Sequence, residues 1–176
     1  MKHLNLSFAA SGFLGIYHLG AASALCRHGK KLLKVVKAFA GASSGALTAT
    51  VLLTVPESIE ALLASSFIPL YAGINAVDYK GQKWIDGGLT NGLPILPKGR
   101  TVTVSPFCGR LDICPENRGQ VDIYAKVAKQ DIMLSIGNLI RLHQALFPPS
   151  QEKMESLYQD GYDDTIQFLL KENWFE

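Results

Sequence analysis

Apolar and polar positions alternate along Leu4-Asn5-Leu6-Ser7-Phe8, which predicts a strand, and the chain then enters the small-residue run Ala9-Ala10-Ser11-Gly12-Phe13-Leu14-Gly15. A helix is predicted over Ile16 to Arg27, a second short strand over Val35 to Ala40, and a helix over Ala46 to Leu53. Ile59 to Ser65 reads as helical, and Ser66-Phe67-Ile68-Pro69 as irregular. Tyr79 to Ile85 resembles a hairpin running into Asp86-Gly87-Gly88, and Thr101 to Val104 is a short strand. Apolar residues then recur at helical spacing from Asp131 to Phe147 (Ile132, Ile136, Leu139, Ile140, Leu142), with Pro148-Pro149 stopping that helix. A last amphipathic helix starts with Ser150 as N-cap and passes Met154, Leu157 and Tyr158, with Gly161 expected to bend or end it. This strand and helix order predicts an α/β fold with helices packed on the faces of a sheet.

The chain has 176 residues, 48% hydrophobic and 18% charged, which suits one domain with one core. Net charge is only +2, but no acidic residue precedes Glu57, so the basic side chains Lys2, Arg27, Lys30, Lys31, Lys34 and Lys37 dominate the first third. Arg27-His28-Gly29-Lys30-Lys31 reads as a solvated helix end and loop, with contact to an anionic membrane surface as the alternative. No aromatic residue interleaves it, so no nucleic-acid partner is expected. Cys26, Cys108 and Cys114 show neither C-x-x-C spacing nor a histidine at metal spacing, which fits reduced thiols in an intracellular compartment and no metal site. The N-terminal run imitates a signal peptide up to Ala22-Ser23-Ala24, but Gly12, Gly15, His18 and Gly20 interrupt it. Ala38 to Pro56 is free of charge and long enough to approach a membrane span, but its Ser, Thr and Gly content favours a buried strand, turn and helix over a bilayer helix.

The candidate chemistry lies in Gly41-Ala42-Ser43-Ser44-Gly45, a G-x-S-x-G between a predicted strand and a predicted helix. A sharp strand-to-helix turn needs small flanking residues, and it would project the Ser43 hydroxyl over a helix N-terminus. Acyl transfer also needs a base and oxyanion donors. The loop around Ser11, Gly12 and Gly15 offers backbone N–H groups at the start of a helix, where the field favours negative charge. Read as a dinucleotide fingerprint, Ala10-x-Gly12-x-x-Gly15 would require an acidic residue on the next strand, and none precedes Glu57, so no cofactor is expected. Asp86 is the candidate base, ending an apolar strand beside two glycines, with burial near Trp84 and Ile85 able to raise its pKa. The order Ser43, Asp86, His143 formally allows a triad, yet His143 falls inside a predicted helix and reads better as a helix-face histidine.

Together, Ser11-Gly12-Phe13-Leu14-Gly15, Gly41-Ala42-Ser43-Ser44-Gly45, Ala64-Ser65-Ser66-Phe67-Ile68-Pro69 and Asp86-Gly87-Gly88 resemble the patatin-like phospholipase family over essentially the whole chain. The resemblance implies a three-layer α/β/α sandwich and hydrolysis of triacylglycerol, phospholipid or retinyl esters by a Ser-Asp dyad. Ser43 would be the nucleophile and Asp86 the base, with the backbone of Ser11, Gly12 and Phe13 as oxyanion hole and Gly15, Gly41, Gly45, Gly87 and Gly88 as motif support. It also implies a peripheral protein on membranes or lipid droplets in the cytoplasm. Leu14 stands where many members carry Arg or Lys. The family has a long extra segment between the positions of Glu60 and Ala61, so residues 1–176 resemble a single domain internally shortened there, with part of the sheet and helices missing. The implied alternative to hydrolysis is a catalytically impaired form that binds a lipid surface or a partner.

Overall fold

A computed structural model describes residues 3–53, 77–79, 82–84, 90–116 and 123–176. A parallel three-stranded sheet is its centre, with β1 (Leu4–Phe8) between β2 (Val36–Gly41) and β5 (Arg100–Val104). Leu6 lies level with Phe39 and Val102, and Phe8 with Gly41 and Val104. Neighbours in register share a face and side chains alternate between faces, so Leu4, Leu6, Phe8, Val102 and Val104 form one apolar side. The other side carries Asn5, Ser7, Thr101 and Thr103. Asn5 and Ser7 are fully buried. The Asn5 amide donates to the Lys98 carbonyl at 2.7 Å, while Asn5 Oδ1 and Ser7 Oγ have no partner among the described residues.

The apolar side joins one cluster with Tyr17, Ala21 and Leu25 of α1 (Gly15–His28), Leu32 of α2 (Lys30–Val35), Ala49 of α3 (Ser44–Leu53), and Phe168 and Leu169 of the C-terminal helix. That helix, α5 (Gln151–Lys171), is capped as expected: the Ser150 hydroxyl accepts from Lys153 N–H. It does not end at Gly161 but runs on to Lys171. A Cβ there would run into the Tyr17 carbonyl, so the glycine lets α1 and α5 approach, and tertiary packing overrides its weak helix propensity. Tyr17 Oη donates to Asp164 at 2.7 Å across the same contact.

The α/β class predicted from the sequence is present, its central sheet parallel, as are strands at residues 4–8, 36–41 and 100–104. Two expectations need correction. Helix does not start near Asp131: Tyr124–Val127 (β6) and Gln130–Met133 (β7) form an antiparallel hairpin, and α4 (Ile136–Leu146) begins only after Ser135, whose hydroxyl accepts from Asn138 N–H. Ile132 therefore belongs to a strand. The basic cluster after Arg27 is not a loop but the end of α1 followed directly by α2. The predicted hairpin near Tyr79 is seen as β3 (Val77–Tyr79) antiparallel to β4 (Gln82–Trp84). The helix predicted from Ile59 and the Ala64–Pro69 motif lie outside the described residues. Cys26, Cys108 and Cys114 are free thiols. Among the described residues no helix is long and apolar enough to cross a membrane.

Candidate active site

Three consecutive features of the backbone place Ser43. The strand β2 ends at Gly41, Ser43 takes a left-handed backbone with φ of 52°, and α3 starts at Ser44. A side chain at φ near +50° is costly for any residue but Gly, Asn or Asp, so the surroundings must enforce it. They do: Ala42 N–H donates to the Phe8 carbonyl at 3.2 Å, Gly45 N–H to Ala42 at 2.9 Å and Ala46 N–H to Ser43 at 2.9 Å. A Cβ on Gly41 would overlap the Gly45 carbonyl, and a Cβ on Gly45 would overlap the Phe8 carbonyl. The small flanks of G-x-S-x-G are thus explained by contact with β1 and with the helix itself. Ser43 is 6% exposed, at the base of a cavity.

Opposite Ser43 lies the glycine-rich loop, whose residues Gly12–Leu14 form a single 3₁₀ turn. Gly12 has φ of 52° and touches α4 so closely that a Cβ would overlap the Ala145 carbonyl. Its own N–H and that of Phe13 open the turn, where no intrahelical acceptor exists, and no other backbone acceptor is found for them among the described residues. Leu14 N–H closes back onto the Ser11 carbonyl at 2.9 Å. Ser11 is buried and its Oγ lies 2.7 Å from Ser44 Oγ, so loop and serine turn are tied directly. Gly15 packs closely against the Ser44 side chain, where an added Cβ would lie 3.0 Å from Ser44 Cβ. Phe13 is largely exposed.

Ser11, Gly12 and Ser43 share a cavity of about 390 Å³ whose other walls are mainly apolar: Phe107 and Ile132, Met133 and Leu134 on and after β7, and Leu139, Leu142 and Leu146 on α4, with Gln130, Ser135 and Asn138 as polar exceptions. This is a size and a polarity for an acyl chain beside one nucleophile. Asp86, Gly87 and Gly88 lie outside the described residues. His143 sits on the exposed side of α4 against Phe147, 4.8 Å between ring centres, and is not part of the cavity wall. It therefore gives no triad with Ser43. Among the described residues no group of His, Cys, Asp or Glu could hold a metal ion.

Two residues that sequence reasoning passed over shape the site. His18, in α1, is fully buried between Phe8 and Tyr17 with Nε2 at 2.8 Å from the Ala9 carbonyl. A carbonyl only accepts, so Nε2 carries the proton, and Nδ1 is left without a partner among the described residues. Burial pulls its pKa down to about 4, partly opposed by the bond to Ala9. Asn138 anchors α4: its Nδ2 donates to the Cys108 and Met133 carbonyls at 2.7 and 2.8 Å, and its Oδ1 accepts from Cys108 N–H at 2.9 Å. The sequence signal for both was a polar side chain at an inward helical position.

A parallel α/β sheet with a left-handed serine between strand and helix defines an α/β protein built round a G-x-S-x-G turn. The chain belongs to the patatin-like phospholipase domain family. It is similar to human patatin-like phospholipase domain-containing protein 4, at 53% identity over 253 positions that cover the whole of both chains. Those 253 aligned positions exceed the 176 residues of this chain by 77. It is also similar to patatin-like phospholipase domain-containing protein 2 of Bos taurus, 29% identical over 243 positions, and to the human 1-acylglycerol-3-phosphate O-acyltransferase PNPLA3, 27% identical over 241. These two alignments cover 95% and 94% of this chain but only 50% of each relative. No protein-family model matches the chain, and no solved structure does.

Proposed function

We propose that the chain is a lipid acyl hydrolase in which Ser43 is the nucleophile, Asp86 the base and the N–H groups of the Ser11-Gly12-Phe13 loop the oxyanion hole. The observation that carries this reading is the left-handed Ser43 at the head of α3, facing the Gly12 turn across one apolar cavity. Ser43 Oγ attacks the ester carbonyl as its proton passes to the Asp86 carboxylate. The oxygen that becomes negative is held by the free N–H groups of the 3₁₀ turn, and Asp86 returns the proton to the departing alcohol. Water then repeats the sequence on the acyl-serine and releases the fatty acid. Substrates of this reading are triacylglycerol, phospholipid or retinyl esters, presented to a peripheral protein on membranes or lipid droplets in the cytoplasm.

The 77 extra positions aligned in the human relative favour a second reading, in which the chain is a single domain shortened near Glu60 and Ala61. Such a form would bind a lipid surface or a partner with impaired turnover. Labelling with a fluorophosphonate separates the two. The hydrolase reading expects labelling that Ser43→Ala abolishes, and ester turnover lost in both Ser43→Ala and Asp86→Asn. Absent labelling of the folded wild-type chain sinks it and leaves the binding form.

A further inference from the structure

Helix α4 is built inside out. Its inward positions are Asn138, Arg141, Gln144 and Ala145, while Ile136 is 79% exposed, Leu139 66% and Ile140 53%. Amphipathic helices of a water-facing protein show the reverse arrangement. What holds α4 is polar: the three hydrogen bonds of Asn138 to Cys108 and Met133, the Ser135 cap, and Arg141 Nη1 donating to Asn138 Oδ1 at 3.3 Å. Burial of its apolar stripe contributes little to that attachment. The stripe extends over Leu134 before the helix and Phe147 after it, both more than half exposed. Contiguous apolar surface of this kind on a folded chain marks a contact with something apolar.

We propose that this outward face of α4 docks the chain on the acyl layer of an anionic phospholipid leaflet. The inference rests on the hydrolase reading only for what the bound lipid then does. Two observations choose the occupant. The first is continuity: Leu139 and Leu142 belong both to the exposed stripe and to the wall of the cavity that holds Ser43, so an acyl chain leaving the leaflet meets apolar surface without a gap. On its inner side the same helix places the Ala145 carbonyl against Gly12, which brings the lipid contact next to the oxyanion-type loop. The second is charge. From Ile132 to Ser150 there is no carboxylate, Arg141 turns inward to Asn138, and in the β6–β7 hairpin, whose Val127 and Ala128 line the cavity, the exposed Lys126 and Lys129 outnumber the one carboxylate, Asp131. Cations around an apolar helix face match an interfacial helix on anionic lipid.

The test is flotation of the full chain with phosphatidylcholine vesicles containing phosphatidylserine, alongside hydrolysis of a water-soluble short-chain ester. Ile136 and Ile140 do not line the cavity, so an Ile136→Glu/Ile140→Glu double variant is expected to lose at least tenfold in vesicle partitioning while keeping soluble-ester turnover within about twofold. An Ile136→Ser/Ile140→Ser variant, which adds no charge, is expected to fall between, and thermal unfolding checks that both fold. Equal flotation of wild type and the Glu variant overturns the proposal. So does turnover by a wild-type chain that does not float, an outcome that leaves the hydrolase reading intact. Vesicle binding that the Glu variant loses, with no turnover by wild type, supports the docking face and sinks the hydrolase reading instead. Sedimentation of wild type as a dimer that the Glu variant dissociates, with flotation unchanged, would assign the face to a second copy and overturn the lipid assignment.

Discussion

Ser11 and Ser44 meet through their hydroxyls at 2.7 Å, joining the loop after β1 to the first residue of α3. Neither side chain belongs to the reacting pair, yet Ser11 opens the proposed oxyanion loop before Gly12 and Ser44 follows Ser43 directly. A neutral hydrogen bond of this kind contributes about 1 kcal/mol, and in contact with one another the two residues should not behave additively. Ser44→Ala is expected to lower Tm by about 2–4 °C and to reduce kcat/KM about fivefold. The double variant Ser11→Ala/Ser44→Ala is expected to be little worse than either single one. Full additivity in the cycle, measured by denaturant unfolding and ester turnover, would show that the link does not couple loop and turn.

Gly12 carries two constraints at once, a left-handed φ of 52° and direct contact with the Ala145 carbonyl. Alanine at this position costs about 1–2 kcal/mol for the backbone alone and forces α4 and the loop apart. If the N–H groups of this turn hold the oxyanion, their displacement removes roughly 2.7–4 kcal/mol of transition-state stabilisation. Gly12→Ala is therefore expected to lose about 10²–10³ in kcat with a small change in KM. A variant that stays folded and turns over at the wild-type rate would exclude this turn as the oxyanion site.

The parts of this fold that are legible in the sequence are those whose cause is local. Alternation at residues 4–8, small residues around Ser43 and the Ser150 cap each act within a few residues, and each is found where expected. The β6–β7 hairpin was hidden because its turn residues Ala128 and Lys129 take φ of 45° and 68° without a Gly or Asn to announce it. Gly161 misled because its role is set by Tyr17, far away in the chain. For α4 the periodicity located the apolar stripe from Ile136 onward, wrongly adding Ile132, but could not say which side faces the core, since that is decided by Asn138 and its distant partner Cys108. The meeting of Ser43 with Asp86 is the same kind of question, one of long-range placement and not of local pattern.

Asn138 makes a prediction separable from activity. Its side chain satisfies the N–H and carbonyl of the buried Cys108 together. Asn138→Ala leaves both groups without that partner in a dry setting, at about 1–3 kcal/mol for each group not rescued by water. The variant is expected to be destabilised by about 2–3 kcal/mol in urea unfolding, and hydrogen exchange should rise first in α4. Asn138→Asp is expected to be no rescue, because a carboxylate cannot donate to the Cys108 and Met133 carbonyls. Unchanged unfolding of Asn138→Ala would mean that apolar contacts, not these bonds, hold α4.

His18 makes the fold sensitive to acid. Its ring is fully buried and neutral, donating from Nε2 to the Ala9 carbonyl, and its pKa lies at about 4 against an ordinary 6.5. The unfolded chain thus binds a proton between those two values that the folded chain refuses, so stability rises with pH across that window. The contribution is complete above pH 6.5, falls as pH drops, and is fully lost at about pH 4, a change of roughly 3 kcal/mol at about 1.4 kcal/mol per unit. His18→Gln keeps a donor for Ala9 and removes the titration. Urea unfolding of both proteins from pH 7.5 to pH 4.5 is expected to show the wild type losing about 2–3 kcal/mol more than the variant, with the other histidines cancelling in the comparison. Protonation adds its proton at Nδ1 and leaves the Nε2–Ala9 bond intact, so the cost is that of a charge in a buried setting. Parallel pH curves for the two proteins would show that water or a rearranged ring already satisfies Nδ1 and that His18 titrates without cost to the fold.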